Sequence, residues 1–135
     1  MKKIYEAVIP PSGWSDKITF SPGVKVGNLL YISGMTAADE KGNLIGPGDI
    51  VRQTEYIFEK MGRILLAAGA DFSHVVETTD YYLTLERYAQ TAAVRKKIFG
   101  GPPYPAATGV QVAGLIRPGA LIEIKAVAVR GTPAP

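Results

Sequence analysis

The chain has 135 residues, 47% of them hydrophobic and 20% charged, with a formal net charge of +3 and no cysteine. That length and apolar content suit a single domain with one core, residues 1–135, and the missing cysteines exclude a disulfide framework, a thiolate nucleophile and any sulfur-ligated metal. Charges of both signs are interspersed; the densest basic run, Arg95-Lys96-Lys97, closes a predicted helix, where cations complement the dipole, so a nucleic-acid partner is not expected.

The first residues, MKKIYEAVIPPSG, lack the apolar stretch of a secretory signal. No later apolar run approaches the roughly 20 residues that span a bilayer. A cytoplasmic protein without a membrane partner is expected. Residues 23–35, GVKVGNLLYISGM, alternate apolar and polar around Gly27-Asn28 and predict two strands joined by a tight turn. From Asp49, a candidate N-cap, Ile50, Thr54, Ile57, Phe58, Met61, Ile64, Leu65 and Ala68 recur at helical spacing until Gly69. A strand is predicted over 75–83 and a helix over 85–99, the latter stopped by Gly100-Gly101-Pro102-Pro103.

The stretch YPAATGVQV, 104–112, reads as a buried strand of small and β-branched residues. Strands over 106–115 and 121–129 flank the turn signal Arg117-Pro118-Gly119, and the tail GTPAP reads as disordered. This order predicts an α+β fold, one sheet with two helices packed on one face. Thr78, Asp80 and Tyr82 are expected on the other face, which then needs another subunit to cover it.

The side chains permit little chemistry. His74 is the single histidine and reads as an exposed loop residue; no spacing builds a metal site, and no GxSxG elbow presents a serine. Glycine-rich segments lack the GxGxxG and GxxxxGK spacings that cradle phosphates, so no cofactor is expected. General acid-base work by a carboxylate is what remains. Glu123, within LIEIKAVAV, is either an acid whose pKa burial raises toward a useful range or an exposed residue of an alternating strand. Arg95 shares helical spacing with Tyr88, Ala92 and Phe99, and is expected to snorkel with its head in water.

Three segments, VKVGNLLYISGM (24–35), LLAAGADFSHVVETT (65–79) and PAATGVQVAGL with LIEIKAVAV (105–115 and 121–129), together resemble the reactive-intermediate deaminase family, also called the YjgF/YER/UK family. The resemblance covers nearly all of the chain after the first fifteen residues. It implies a chorismate-mutase-like fold, a homotrimer around a central barrel, and small-molecule sites in the clefts between subunits. Deaminating members usually read Pro-Ala-Arg-Ser-Cys where this chain has Pro105-Ala106-Ala107-Thr108-Gly109. In them the arginine grips the substrate carboxylate with its planar fork; here Ala107 replaces it and Gly109 replaces the cysteine.

By the same resemblance Glu123 corresponds to the acid that positions the attacking water, Ser33 and Gly34 to the cleft-lining segment, and Phe20 to an aromatic at the mouth. Met35 stands where a glutamine is usual. Tyr104 and Thr108, beside Ala107, complete the expected substrate wall. Asp80 takes the place of an apolar residue and is a second candidate acid, either paired across the trimer or part of a remodelled site. The implied activity is hydrolysis of an enamine or imine, including larger aminomuconate-type compounds. The alternatives are a trimer that binds a small metabolite, a member with another proton-transfer reaction, and the family's older ribonuclease reading, which needs a basic cleft.

Overall fold

In the computed structural model, which describes residues 1–131, the chain forms β1 (Glu6–Val8), β2 (Gly23–Val26), β3 (Leu29–Met35), α1 (Ile50–Ala67), β4 (Val75–Tyr82), α2 (Thr91–Phe99), β5 (Ala106–Gln111) and β6 (Ile122–Val129). The expectation for the tail falls on 132–135, outside the described residues. All six strands join one sheet in the order β1-β2-β3-β6-β4-β5. Every pairing is antiparallel except β4 with β5. A parallel pair cannot be closed by a hairpin, and the segment carrying α2 makes the crossover.

Local chemistry explains the two elements that were clearest in the sequence. Gly27-Asn28 makes the two-residue turn, with Val26 paired to Leu29 and Gly27 at φ +56°, a conformation that glycine adopts without steric cost. The Asp49 carboxylate accepts from the Val51 and Arg52 N–H groups, satisfying two of the orphan donors of α1. The apolar stripe of α1 (Ile57, Phe58, Met61, Ile64, Leu65) packs in one core with Leu30, Ile32 and Met35 of β3 and Ile122, Ile124, Ala126 and Ala128 of β6. Phe58, Phe72 and Phe99 meet edge to face with centroids about 6 Å apart, joining α1 to α2.

Several expectations are corrected. β1 was not foreseen: it is three residues long, beside two prolines, and its strand character comes from pairing with β2. The predicted helix over 85–99 is interrupted, because Arg87 adopts a left-handed φ of +59°, Tyr88–Gln90 form a 3₁₀ turn, and α2 begins only at Thr91. The strand expected over 106–115 stops at Gln111. It is also not buried: β5 is the sheet edge and every residue in it is exposed within one chain. His74 is half-buried, since its Nδ1 accepts from the Asp71 N–H in a capping box.

The most consequential correction concerns β4. Thr78, Asp80 and Tyr82 are buried on the helix side, at 2%, 3% and 8% exposure. Alternation therefore puts Glu77, Thr79 and Tyr81 on the open face. The register shift between Val75 and Glu77 displaces the pattern by one residue. Arg95 is corrected with it: its guanidinium turns inward to Asp80.

Candidate functional site

The site is built at the C-terminal end of β3. Ile32 pairs with Ala126 and Met35 with Ile124, so Ser33 and Gly34 together oppose Lys125 in a bulge. The bulge lets Ile32 and Met35 both face the core and turns Gly34 toward Glu123. Ser33 is fixed from behind, its O–H donating to the Ser21 carbonyl at 2.6 Å and its N–H to the Pro22 carbonyl at 3.0 Å.

Gly34 has no room for a side chain. A Cβ there would overlap Glu123 Oε2 and lie 3.1 Å from Glu123 Cδ. Glu123 is half-buried on the open face of β6, in register with Tyr81 of β4. A hollow of about 330 Å³ opens over Gly34, Tyr81, Leu115, Glu123 and Lys125. The carboxylate thus sits over bare backbone, on a face that no helix covers.

A second hollow, about 400 Å³, lies on the helix side of the same strand end and holds Phe20 and Met35. Its lip is the irregular segment 10–20, in which the Trp14 indole N–H donates to the Phe20 carbonyl at 2.8 Å and the two rings meet edge to face. Its wall includes Tyr56, Lys60 and Arg63 of α1 and Arg117 of the turn before β6. That turn is held by buried Gln53, whose Nε2 donates to Gly46 and Gly119 carbonyls and whose Oε1 accepts from the Leu121 N–H. Burial, then the charges of Arg117 and Arg63, lowers the Lys60 pKa from 10.5 to about 8, against an opposing pull from Asp39.

The remaining expected residues lie elsewhere. Tyr104, Ala107, Thr108 and Gly109 are all exposed at the β5 edge, two strand spacings, or about 10 Å, from the strand β6 that carries Glu123. Within one chain they do not meet Glu123. Gly109 pairs with Asp80, and a Cβ there would come 2.9 Å from the Tyr88 Oη and 3.2 Å from Tyr82 Cε1. The usual cysteine would collide with this tyrosine pair, which stacks at 4.1 Å between centroids. Ala107, two residues earlier on the same side, faces that edge without a cation.

Asp80 is the floor of a polar cluster. Arg95 Nη2 pairs with its Oδ2, the Tyr88 O–H donates to the same oxygen at 2.7 Å, and Arg95 Nη1 donates to Thr91 Oγ1 at 2.6 Å. Asp80 Oδ1 is buried without a partner. Burial and the adjacent carboxylate raise the Tyr88 pKa far above its ordinary value. The cluster joins α2 to β4 and makes no contact with Glu123.

Sequence reasoning missed Tyr81, Lys60, Arg63 and Arg117. Tyr81 could have been found from its cross-strand position beside Glu123 once the β4 register was known. The three cations carry no sequence signal, because Lys60 and Arg63 resemble any solvated helix face.

An edge-exposed α+β sheet, with both helices on one face and an acid set over a bulge glycine on the other, defines a small domain that presents a carboxylate from an open sheet. The family described as Endoribonuclease L-PSP matches residues 15–130, and the chain belongs to it. The 2-iminobutanoate/2-iminopropanoate deaminase of Mus musculus is 36% identical over 112 residues, covering 83% of this chain and 82% of its own. Protein DfrA of Myxococcus xanthus is 38% identical over 106 residues, covering 78% and 79%. The crystal structure of RidA from an Antarctic Psychrobacter superposes with a TM-score of 0.79 at 30% identity, covering 96% of this chain and 100% of that one. The α+β architecture read from the sequence is the one these relatives share.

Proposed function

We propose that the protein is a hydrolytic deaminase of an imine or enamine, acting as a homotrimer in clefts between subunits. The observation that carries this reading is the Glu123 carboxylate set over Gly34 on the uncovered face. The separation of β5 from β6 supports the assembly: within one chain β4 lies between Ala107, Thr108 and Gly109 and the Glu123 strand, and the edge of one copy reaching the strand end of the next brings them together.

In the reaction Glu123 holds a water and accepts its proton as the oxygen adds to the C=N carbon. The carbinolamine nitrogen takes that proton from Glu123. The carbinolamine hydroxyl then gives its proton, again through Glu123, to that nitrogen as the C–N bond breaks, leaving a carbonyl and releasing ammonia. Ala107 cannot supply the two-pronged grip on a carboxylate beside the reacting carbon, a loss on the order of 2 to 5 kcal/mol in binding. Small 2-imino acids are therefore poor substrates, and the emptier edge admits a larger, aminomuconate-type compound.

Ala107 also favours a second reading, a trimer that binds a small metabolite without deaminating it. The ribonuclease reading has less support: among the described residues lining the Glu123 hollow, Lys125 is the one cation, which gives an RNA backbone little to hold.

The test is ammonia release from 2-aminomuconate by wild type and Glu123→Gln, each first shown to have the same mass in solution. The variant should lose about 10²-fold in turnover or more, the scale of a lost general base. Equal turnover would end the role given to Glu123; no ammonia from wild type would favour the binding reading.

A further inference from the structure

The hollow on the helix side contains three cations that nothing above uses. Lys60 and Arg63 lie three residues apart on α1, hence on neighbouring positions of its surface, and Arg117 faces them from the turn before β6. Among the described residues no carboxylate lies within ion-pair distance of any of the three. Lys60 spends one donor on the Thr36 carbonyl at 2.9 Å and keeps two; Arg117 spends one on the Gly42 carbonyl. Arg63 stacks over the Tyr56 ring at 5.9 Å.

Two acids line the rim, Asp39 and Glu40. Asp39 is engaged by its own loop, accepting from the Lys41 and Asn43 N–H groups and from Asn43 Nδ2. Three cations against two carboxylates leave the hollow one positive charge, which suits a monoanion better than a phosphate dianion. The other walls are mostly apolar and include Trp14, Phe20 and Tyr56, and 400 Å³ is within the range of small-molecule sites. A half-buried ammonium with free donors gains most from an anion that brings its own acceptors.

We propose that Lys60, Arg63 and Arg117 hold the carboxylate of a planar unsaturated acid whose apolar body lies against Trp14, Phe20 and Tyr56. The inference rests on the deaminase reading for the identity of the site, since Phe20 and Met35, which the family resemblance gives to the substrate cleft, line this hollow. It supplies the carboxylate anchor that Ala107 lacks, at the other end of a longer molecule. Thr36, the acceptor for Lys60, follows Gly34 by two residues, about 7 Å of extended chain. The cation end of the hollow therefore lies beside the strand end that carries Gly34.

Trp14 is the only tryptophan, so its fluorescence reports on the pocket directly. The probe is 2,4-hexadienoate, a planar acid with no nitrogen to release, and the control is its uncharged amide. Hexadienoate should quench Trp14 saturably, with the amide at least ten-fold weaker. Arg63→Gln, an exposed position where folding is not at risk, and Arg117→Gln should each weaken the acid at least five-fold and leave the amide unchanged. Equal binding of acid and amide, or an acid affinity unmoved in both arginine variants, would overturn the proposal, as would tighter competition by inorganic phosphate than by hexadienoate. Because the probe is not turned over, this pattern can hold while the Glu123 reading fails, and the reverse.

Discussion

Lys60 shows how far one residue is set by its surroundings. On a helical wheel it belongs to the outer surface of α1, yet its ammonium lies in a hollow where burial first, and then the charges of Arg117 and Arg63, lower its pKa from 10.5 to about 8. The charged form is thus disfavoured in the folded chain relative to the unfolded one. Below about pH 8 both states carry the proton and the whole penalty is present. Between about pH 8 and 10.5 the unfolded state still binds a proton that the folded state has released, so this residue makes stability rise with pH across that window. Lys60→Met removes the term. Urea unfolding should therefore show wild type gaining on Lys60→Met from about pH 7 to about pH 10, as linkage requires. A gap that stays flat would mean that the ammonium is no worse solvated folded than unfolded.

At the scale of elements, α2 and β4 are joined by a charge pair inside the core. Asp80 is nearly fully buried and Arg95 is mostly so, and a buried pair is costly to break because one uncompensated charge is left behind. Arg95→Leu should cost about 3 kcal/mol or more in chemical denaturation, whereas Asp80→Leu with Arg95→Leu should recover most of it. A double variant no more stable than the single would show that the cluster does more than neutralise Asp80. The same pair explains what the sequence concealed. α1 was legible because its apolar recurrence and the Asp49 cap both lie within one short stretch. The facing of β4 was not, because a polar Thr-x-Asp pattern reads as solvent-facing, and the residues that satisfy Asp80 come from the 3₁₀ turn and α2. β5 read as buried because it carries no charge, although nothing within one chain covers it. Of the candidate site, Glu123 came from its apolar strand context as well as the family resemblance and Gly34 from the resemblance alone, while the cation cluster depends on bringing α1 to a turn more than fifty residues away.

At the scale of the whole molecule the open sheet face is what argues for the proposed trimer. Leu29, Tyr31, Val110 and Val129 are each more than a third exposed, and Tyr81 and Val127 lie among them half-buried. A face of this kind is seldom left in water. Glu77, Thr79 and Lys125 interrupt it, which suits subunits that meet in a fixed register. Light scattering at micromolar concentration should return three times the chain mass. Tyr31→Glu places a charge in the middle of the face, opposite Val127, where it loses nothing of the helix-side core; it should yield a folded monomer with an unchanged circular dichroism spectrum. Ala107 and Glu123 stand on strands that do not pair within one chain, so under the proposed inter-subunit site turnover should fall with the trimer. Hexadienoate quenching of Trp14 should survive, since every residue lining that hollow comes from one chain. A wild-type monomer, or a Tyr31→Glu monomer that keeps full turnover, would place the reaction inside a single subunit and remove β5 from the site.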